Sequence, residues 1–150
     1  MEVIESGMVV PSVETPKHRV WLSNFDTTHV GRGHVPTIYH YRPTGLSTDV
    51  ETLKAALSKA LVPYYPLAGR LEVGEDGRAE INCNGEGVLF TVVRLESSVE
   101  EFGGFAPSQE MRQALVPTVD SSLPPCLLMM AQVRVSIGLL ILSKFFLAIT

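Results

Sequence analysis

Leu61-Val62-Pro63-Tyr64-Tyr65-Pro66-Leu67-Ala68-Gly69-Arg70-Leu71 decides how the rest of the chain is laid out. Pro63 and Pro66 lack a backbone N–H and push the residue before each of them out of the helical region, so no helix continues through the segment. Tyr64, Tyr65 and Leu67 are large and mostly apolar, and Arg70 is the one charge. That composition predicts a buried turn whose backbone groups pair internally. The stretch reads as a packed helix-to-strand corner rather than a ligand site.

Upstream of the corner, Thr48-Asp49-Val50-Glu51 has the form of a capping box, with Thr48 bonding the Glu51 amide and Glu51 reaching back to Thr48. Val50, Leu53, Leu57, Ala60 and Leu61 then fall at helical spacing, with Lys54, Ser58 and Lys59 on the wet side. The spacing predicts a helix over about 49–62. Downstream, residues 71–73 and 78–83 flank Gly74-Glu75-Asp76-Gly77 and predict a hairpin. Residues 88–95 and 126–133 are rich in apolar and β-branched residues and read as further strands. So do residues 3–13, punctuated by Pro11 and Pro16, residues 17–26, and residues 35–41. In the last of these, Thr37, Tyr39 and Tyr41 share one face and Ile38 and His40 the other. Ser97 to Glu101 suits a short helical turn, and residues 108–116 suit a helix before Pro117. The whole is α+β: a mixed set of some six short strands and one clear helix.

With 45% apolar and 19% charged residues, the chain can build a core and is not disordered. A net charge of −4, with no lysine or arginine cluster, argues against a nucleic-acid partner. Cys83 and Cys126 are too few for a disulfide scaffold and stand at no metal-ligand spacing, so they read as free thiols in a reducing compartment. The acidic start, Met1-Glu2-Val3-Ile4-Glu5, is unlike a secretory signal and makes a cytoplasmic protein the expectation.

Residues 135–149 are almost continuously apolar, broken by Ser136, Gly138, Ser143 and Lys144. A membrane-spanning helix needs about 20 apolar residues, and this run is shorter. A buried strand or helix, a tail outside the fold, and a tail anchor are the three readings, the last the least favoured.

Local motifs do not declare an enzyme. His18, His29, His34 and His40 lack the paired spacing and carboxylate of a metal site. Gly31-Arg32-Gly33 and Gly85-Glu86-Gly87 are turns rather than phosphate loops, since neither opens a helix and Glu86 would repel phosphate. Glu75-Asp76 and Glu100-Glu101 read as solvated turns.

Taken in order, however, the pieces resemble a known family. Pro11-Ser12 with Thr15-Pro16, Leu22-Ser23-Asn24-Phe25-Asp26, Pro36-Thr37-Ile38-Tyr39-His40-Tyr41-Arg42-Pro43, the helix, the Tyr64–Arg70 corner, residues 80–90 and Val119-Asp120 follow one another from about residue 3 to residue 133. The ordered set is similar to the start of the plant acyl-CoA-dependent acyltransferases, the BAHD family, and residues 36–43 are similar to its hydroxycinnamoyl transferases. The resemblance implies the N-terminal part of a chloramphenicol acetyltransferase-like domain over residues 1–133, followed by a divergent apolar tail over 134–150. It implies acyl transfer from acyl-CoA, as co-substrate, to an alcohol or amine, with no bound cofactor or metal, in a typically monomeric protein.

In that family a histidine of a His-x-x-x-Asp-Gly motif is the general base, a role suited to neutral imidazole. That motif and the family's Asp-Phe-Gly-Trp-Gly are both absent from these 150 residues, so no catalytic residue is assigned. By position, His34, Thr37 and Tyr39 are the substrate-binding candidates the resemblance implies. The expectation is an inactive N-terminal portion of such an enzyme. The alternatives are a non-catalytic module that pairs with a full-length relative and, less favoured, a tail-anchored membrane protein.

Overall fold

Two sheets and one amphipathic helix are built around the corner at 61–71. The computed structural model describes residues 2–28, 30, 34–41, 49–94, 109, 125–136 and 139–147. In chain order these form β1 (Glu2–Val9), β2 (Arg19–Trp21), α1 (Asn24–Thr27), β3 (His34–Tyr41), α2 (Val50–Ala60), a 3-10 turn (Tyr65–Ala68), β4 (Arg70–Val73), β5 (Ala79–Asn82), β6 (Val88–Arg94), β7 (Cys126–Leu127), β8 (Met129–Ser136) and β9 (Leu139–Leu147). The larger sheet has the order β1-β6-β8-β9-β3 and the smaller β2-β5-β4-β7. Of the described pairings, β6 with β8 is parallel and the others are antiparallel, so the architecture is mixed α+β as expected.

The main apolar cluster of the larger sheet lies on one face. Val9, Val88, Phe90, Val92, Met129, Ala131 and Val133 point to it, joined by Leu61 and Ala68 from the corner. Helix α2 packs on this face through Val50, Leu53 and Leu57, with Leu67 beside them. The helix is tied to β1 by polar contacts as well. Lys54 pairs with Glu5 and, at 2.8 Å, with Glu51, and Ser58 Oγ donates to the Val10 carbonyl at 2.8 Å. Lys54 and Ser58 were expected on the wet side but are partly covered, while Ala60, expected inward, is exposed. The smaller sheet buries Leu22, Leu71, Cys126 and Leu128 against Val30, Ala79 and Ile81.

Several local expectations are corrected. The N-cap of α2 is Asp49, whose carboxylate accepts from the Glu51 and Thr52 amides at 3.3 Å; the proposed Thr48 cap lies outside the described residues. A capping box forms instead at α1, where Ser23 Oγ accepts from the Asp26 amide and Asp26 accepts from the Ser23 amide at 2.9 Å. That short helix replaces the second half of the strand expected over 17–26. Serine and aspartate offer the backbone local partners that outcompete a ladder there.

The corner is wetter than its composition suggested. Leu61, Ala68 and Gly69 are buried, but Tyr64 is 64% exposed and Tyr65 and Leu67 are half-buried. Tyr65 turns its hydroxyl toward His18 at 3.5 Å.

The apolar run at the C-terminal end enters the sheet. Strand β8 continues through Ser136, past the boundary drawn at 133, and β9 runs between β8 and β3 with a continuous register on both sides. No helix among the described residues is long and apolar enough to cross a membrane. The loop at 31–33, the turn at 97–101, the helix expected over 108–116 (residue 109 excepted) and Val119-Asp120 lie outside the described residues.

One backbone contact is close enough to test. Gly87 has φ +97°, and a Cβ built there would meet the Val9 carbonyl oxygen at 2.5 Å. Gly7, on β1, has nothing within 4 Å of the same construction. Gly87→Ala should therefore cost about 1–3 kcal/mol in strain. Gly7→Ala should stay within about 0.5 kcal/mol of the starting protein. Urea midpoints of the two variants check this, and equal midpoints would contradict it.

Candidate functional site

Strand β3 is an end strand of the larger sheet, bonded to β9 along one edge. Its register places each side chain. Thr37 lies in one row with Lys144, Ala131, Phe90 and Gly7, and Tyr39 in the next with Leu142, Val133, Val92 and Glu5. Directly opposed residues share a face. Thr37 and Tyr39 therefore stand on the face that carries the α2-covered core, two strands farther out than β8.

Tyr41 continues the same stripe. Its ring stacks on Tyr39 with centroids 6.5 Å apart and planes 22° apart. Tyr39 is 40% and Tyr41 48% exposed, while Thr37 is half-buried. The structure thus brings Thr37 and Tyr39 together and adds Tyr41, whose parity with them is visible in the sequence.

His34 is set apart. It stands three residues before Thr37 on a regular strand, which puts it on the opposite face. Its Nε2 lies 2.7 Å from the carbonyl oxygen of Leu127 in β7, so Nε2–H donates and the ring bridges the two sheets. Burial, outweighing that hydrogen bond, holds its pKa below the usual histidine value. Since a carbonyl only accepts, this bond puts a proton on Nε2.

The same face carries a second polar feature, which the sequence reading passed over. Arg134 and Gln132 on β8 are 1% and 2% exposed. With its amide oxygen turned toward the guanidinium, Gln132 accepts from Arg134 Nε at 3.0 Å and from Nη2, while Nη1 has no acceptor among the described residues. Burial pushes Arg134 down to about 10, so it remains charged at neutral pH. Among the described residues, no group of three or more His, Cys, Asp or Glu side chains is placed to hold a metal ion. Cys83 and Cys126 are buried free thiols, and burial raises both.

Solved structures share this fold. Vinorine synthase superposes with a TM-score of 0.73 at 22% identity, covering 97% of this chain and 37% of its own. F. sporotrichioides TRI101, solved in complex with coenzyme A and T-2, gives 0.63 at 18% identity, over 87% and 34%. The architecture is that of the chloramphenicol acetyltransferase-like acyltransferases.

The family model described as Transferase family matches residues 1–135, and the chain belongs to that family, the BAHD acyltransferases. Among curated proteins it is 54% identical over 124 residues to a shikimate O-hydroxycinnamoyltransferase of Nicotiana tabacum. It is 50% identical over 125 residues to putrescine hydroxycinnamoyltransferase 1 of Oryza sativa subsp. japonica. These matches cover 81% and 80% of the chain, which spans 28% of the length of each relative.

The buried Gln132–Arg134 pair yields a paired prediction. Gln132→Leu alone strips a buried cation of its acceptor and should destabilise by about 1–3 kcal/mol. Gln132→Leu combined with Arg134→Met removes the charge as well, and should be neutral or stabilising by about 1–4 kcal/mol. Because folding depresses the Arg134 pKa, its penalty persists through neutral pH and eases only above about 10. Denaturation midpoints at pH 7 distinguish these outcomes. A double variant less stable than Gln132→Leu would show that the guanidinium contributes more than its desolvation costs.

Proposed function

We propose that the chain supplies the N-terminal portion of an acyltransferase that moves a hydroxycinnamoyl-type acyl group from acyl-CoA to an alcohol or amine. The observation that carries this is the 50–54% identity to hydroxycinnamoyltransferases that differ in their named acceptors, shikimate and putrescine. Shared sequence over this portion goes with the shared acyl donor, while the acceptor stays open. Of His34, Thr37 and Tyr39, the latter two are proposed as the contribution of β3 to the substrate pocket, since His34 stands on the opposite face of the strand. The stacked Tyr39 and Tyr41 offer a flat surface of the kind a planar aromatic acyl group packs against.

In this reading acyl-CoA is a co-substrate, no cofactor or metal is resident, and the protein acts as a monomer in the cytoplasm. Residues 1–133 are the acyltransferase portion, and 134–150 are a stretch divergent in sequence that includes the end of β8 and strand β9. The 150 residues hold no His-x-x-x-Asp-Gly motif. That motif holds the family's general base, so in this reading the chain on its own binds without turning over.

A second reading is a module that pairs with a full-length relative. It is favoured by β1, an end strand of eight residues exposed at all but Val9. Size-exclusion of a mixture with a full-length relative tests it, and the absence of a mixed species removes it.

The main reading is tested with p-hydroxycinnamoyl-CoA and the purified chain. Binding by calorimetry with no release of CoA thiol, with shikimate or putrescine present, is the expected outcome. Tyr39→Ala should weaken binding about 2- to 10-fold, the range that one aromatic contact supplies. Sustained thiol release by the chain would overturn the expected inactivity. Failure to bind, in a folded sample, would overturn the donor assignment.

A further inference from the structure

We infer that His34 is a positioning residue: its ring fastens β3, which bears Thr37 and Tyr39, to β7, rather than touching substrate itself. The inference rests on the proposed pocket only for the consequence to ligand binding; the fastening stands on geometry. Strand β9 lies between β3 and β8, with His34 opposite Leu147 and Phe146 opposite Met129. Leu127 is two residues before Met129, just beyond the end of the β8–β9 ladder. From this level of the sheet the imidazole reaches the Leu127 carbonyl at 2.7 Å.

Leu127 is itself held. It pairs with Arg70 on β4 in the smaller sheet, and the Arg70 guanidinium donates to the carbonyls of Gly69 and Gly87 at 2.7 and 2.8 Å. A continuous line of polar contacts thus runs from the corner through Arg70 and Leu127 to the first residue of β3. This line is separate from the ladder that bonds β3 to β9.

The chemistry agrees with a structural hydrogen bond rather than with proton transfer. A carbonyl oxygen accepts and never donates, so Nε2 must carry the proton and cannot serve as a base. Alternation also turns the ring away from the Thr37–Tyr39 face.

The test uses the whole chain, with three readouts. Nitrogen NMR of the His34 ring should show the neutral tautomer protonated on Nε2. In His34→Ala, amide hydrogen exchange over 37–41 should accelerate by about tenfold while β4 and β5 keep their protection. The affinity for p-hydroxycinnamoyl-CoA should fall about 2- to 10-fold in the same variant, as loss of a preorganised strand implies. His34→Gln, which restores an N–H donor, should recover both. A ring protonated on Nδ1, or unchanged exchange in β3 of the Ala variant, overturns the inference. If the unmodified chain binds no p-hydroxycinnamoyl-CoA, the donor assignment falls while tautomer and exchange still decide the role of His34. If His34→Ala does not fold, the tautomer of the unmodified protein and the exchange of His34→Gln decide it.

Discussion

The guanidinium of Arg70 holds together the place where the chain changes direction. It donates to the carbonyls of Gly69 and Gly87 and lies 3.1 Å from Glu86, while the Gly87 amide donates to Ala68 at 2.8 Å. These bonds satisfy backbone groups that the 3-10 turn and the following strand would otherwise bury unpaired, and hydrogen bonds from a charged donor are the stronger kind. Around this fixed point the helix lies on one sheet and the hairpin forms the middle of the other. Gly69 and Gly87 are glycines because the chain passes too close to itself for a Cβ: Gly69 abuts the Asn82 carbonyl and Gly87 the Val9 carbonyl. The corner joins the layers through tight backbone contact more than through the aromatic bulk that its sequence displays.

That distinction explains what the sequence could and could not reveal. Helix α2 was legible because Val50, Leu53 and Leu57 recur at its period and Pro63 ends it. The β4–β5 hairpin was legible because Gly77, at φ +80°, stands in its turn between two alternating runs. Lys54 and Ser58 were misplaced for a reason periodicity does not encode: each found a partner more than forty residues away, Glu5 on β1 and the Val10 carbonyl just after it. Tyr64 was misplaced because aromatic character says nothing about which side of a turn faces water.

The candidate site was legible in part and for a different reason. Parity along β3 gave the shared face of Thr37, Tyr39 and Tyr41, and the register then set that face level with the core. The bond from His34 to Leu127 spans 93 residues of sequence and could not be read from either end. Arg134 was equally hidden. A lone arginine in an apolar strand reads as an edge or flank, whereas here it sits on an inner strand with Gln132 as its acceptor. The cost of burying that charge is set by surroundings that local pattern does not show.

The placement of β9 between β8 and β3 bears on how the protein comes into being. During synthesis residues 34–41 emerge early, yet the strand they bond to is Leu139–Leu147, and β6 likewise waits for β8 across some thirty-five residues. Loop closure over such distances must precede the contacts that reward it, which makes folding slow. Until about a hundred further residues have left the ribosome, Val35, Tyr39 and Tyr41 belong to a strand with no ladder on either side. The stripe proposed to receive a ligand in the finished protein is thus, in the nascent chain, a surface that needs shelter from other chains.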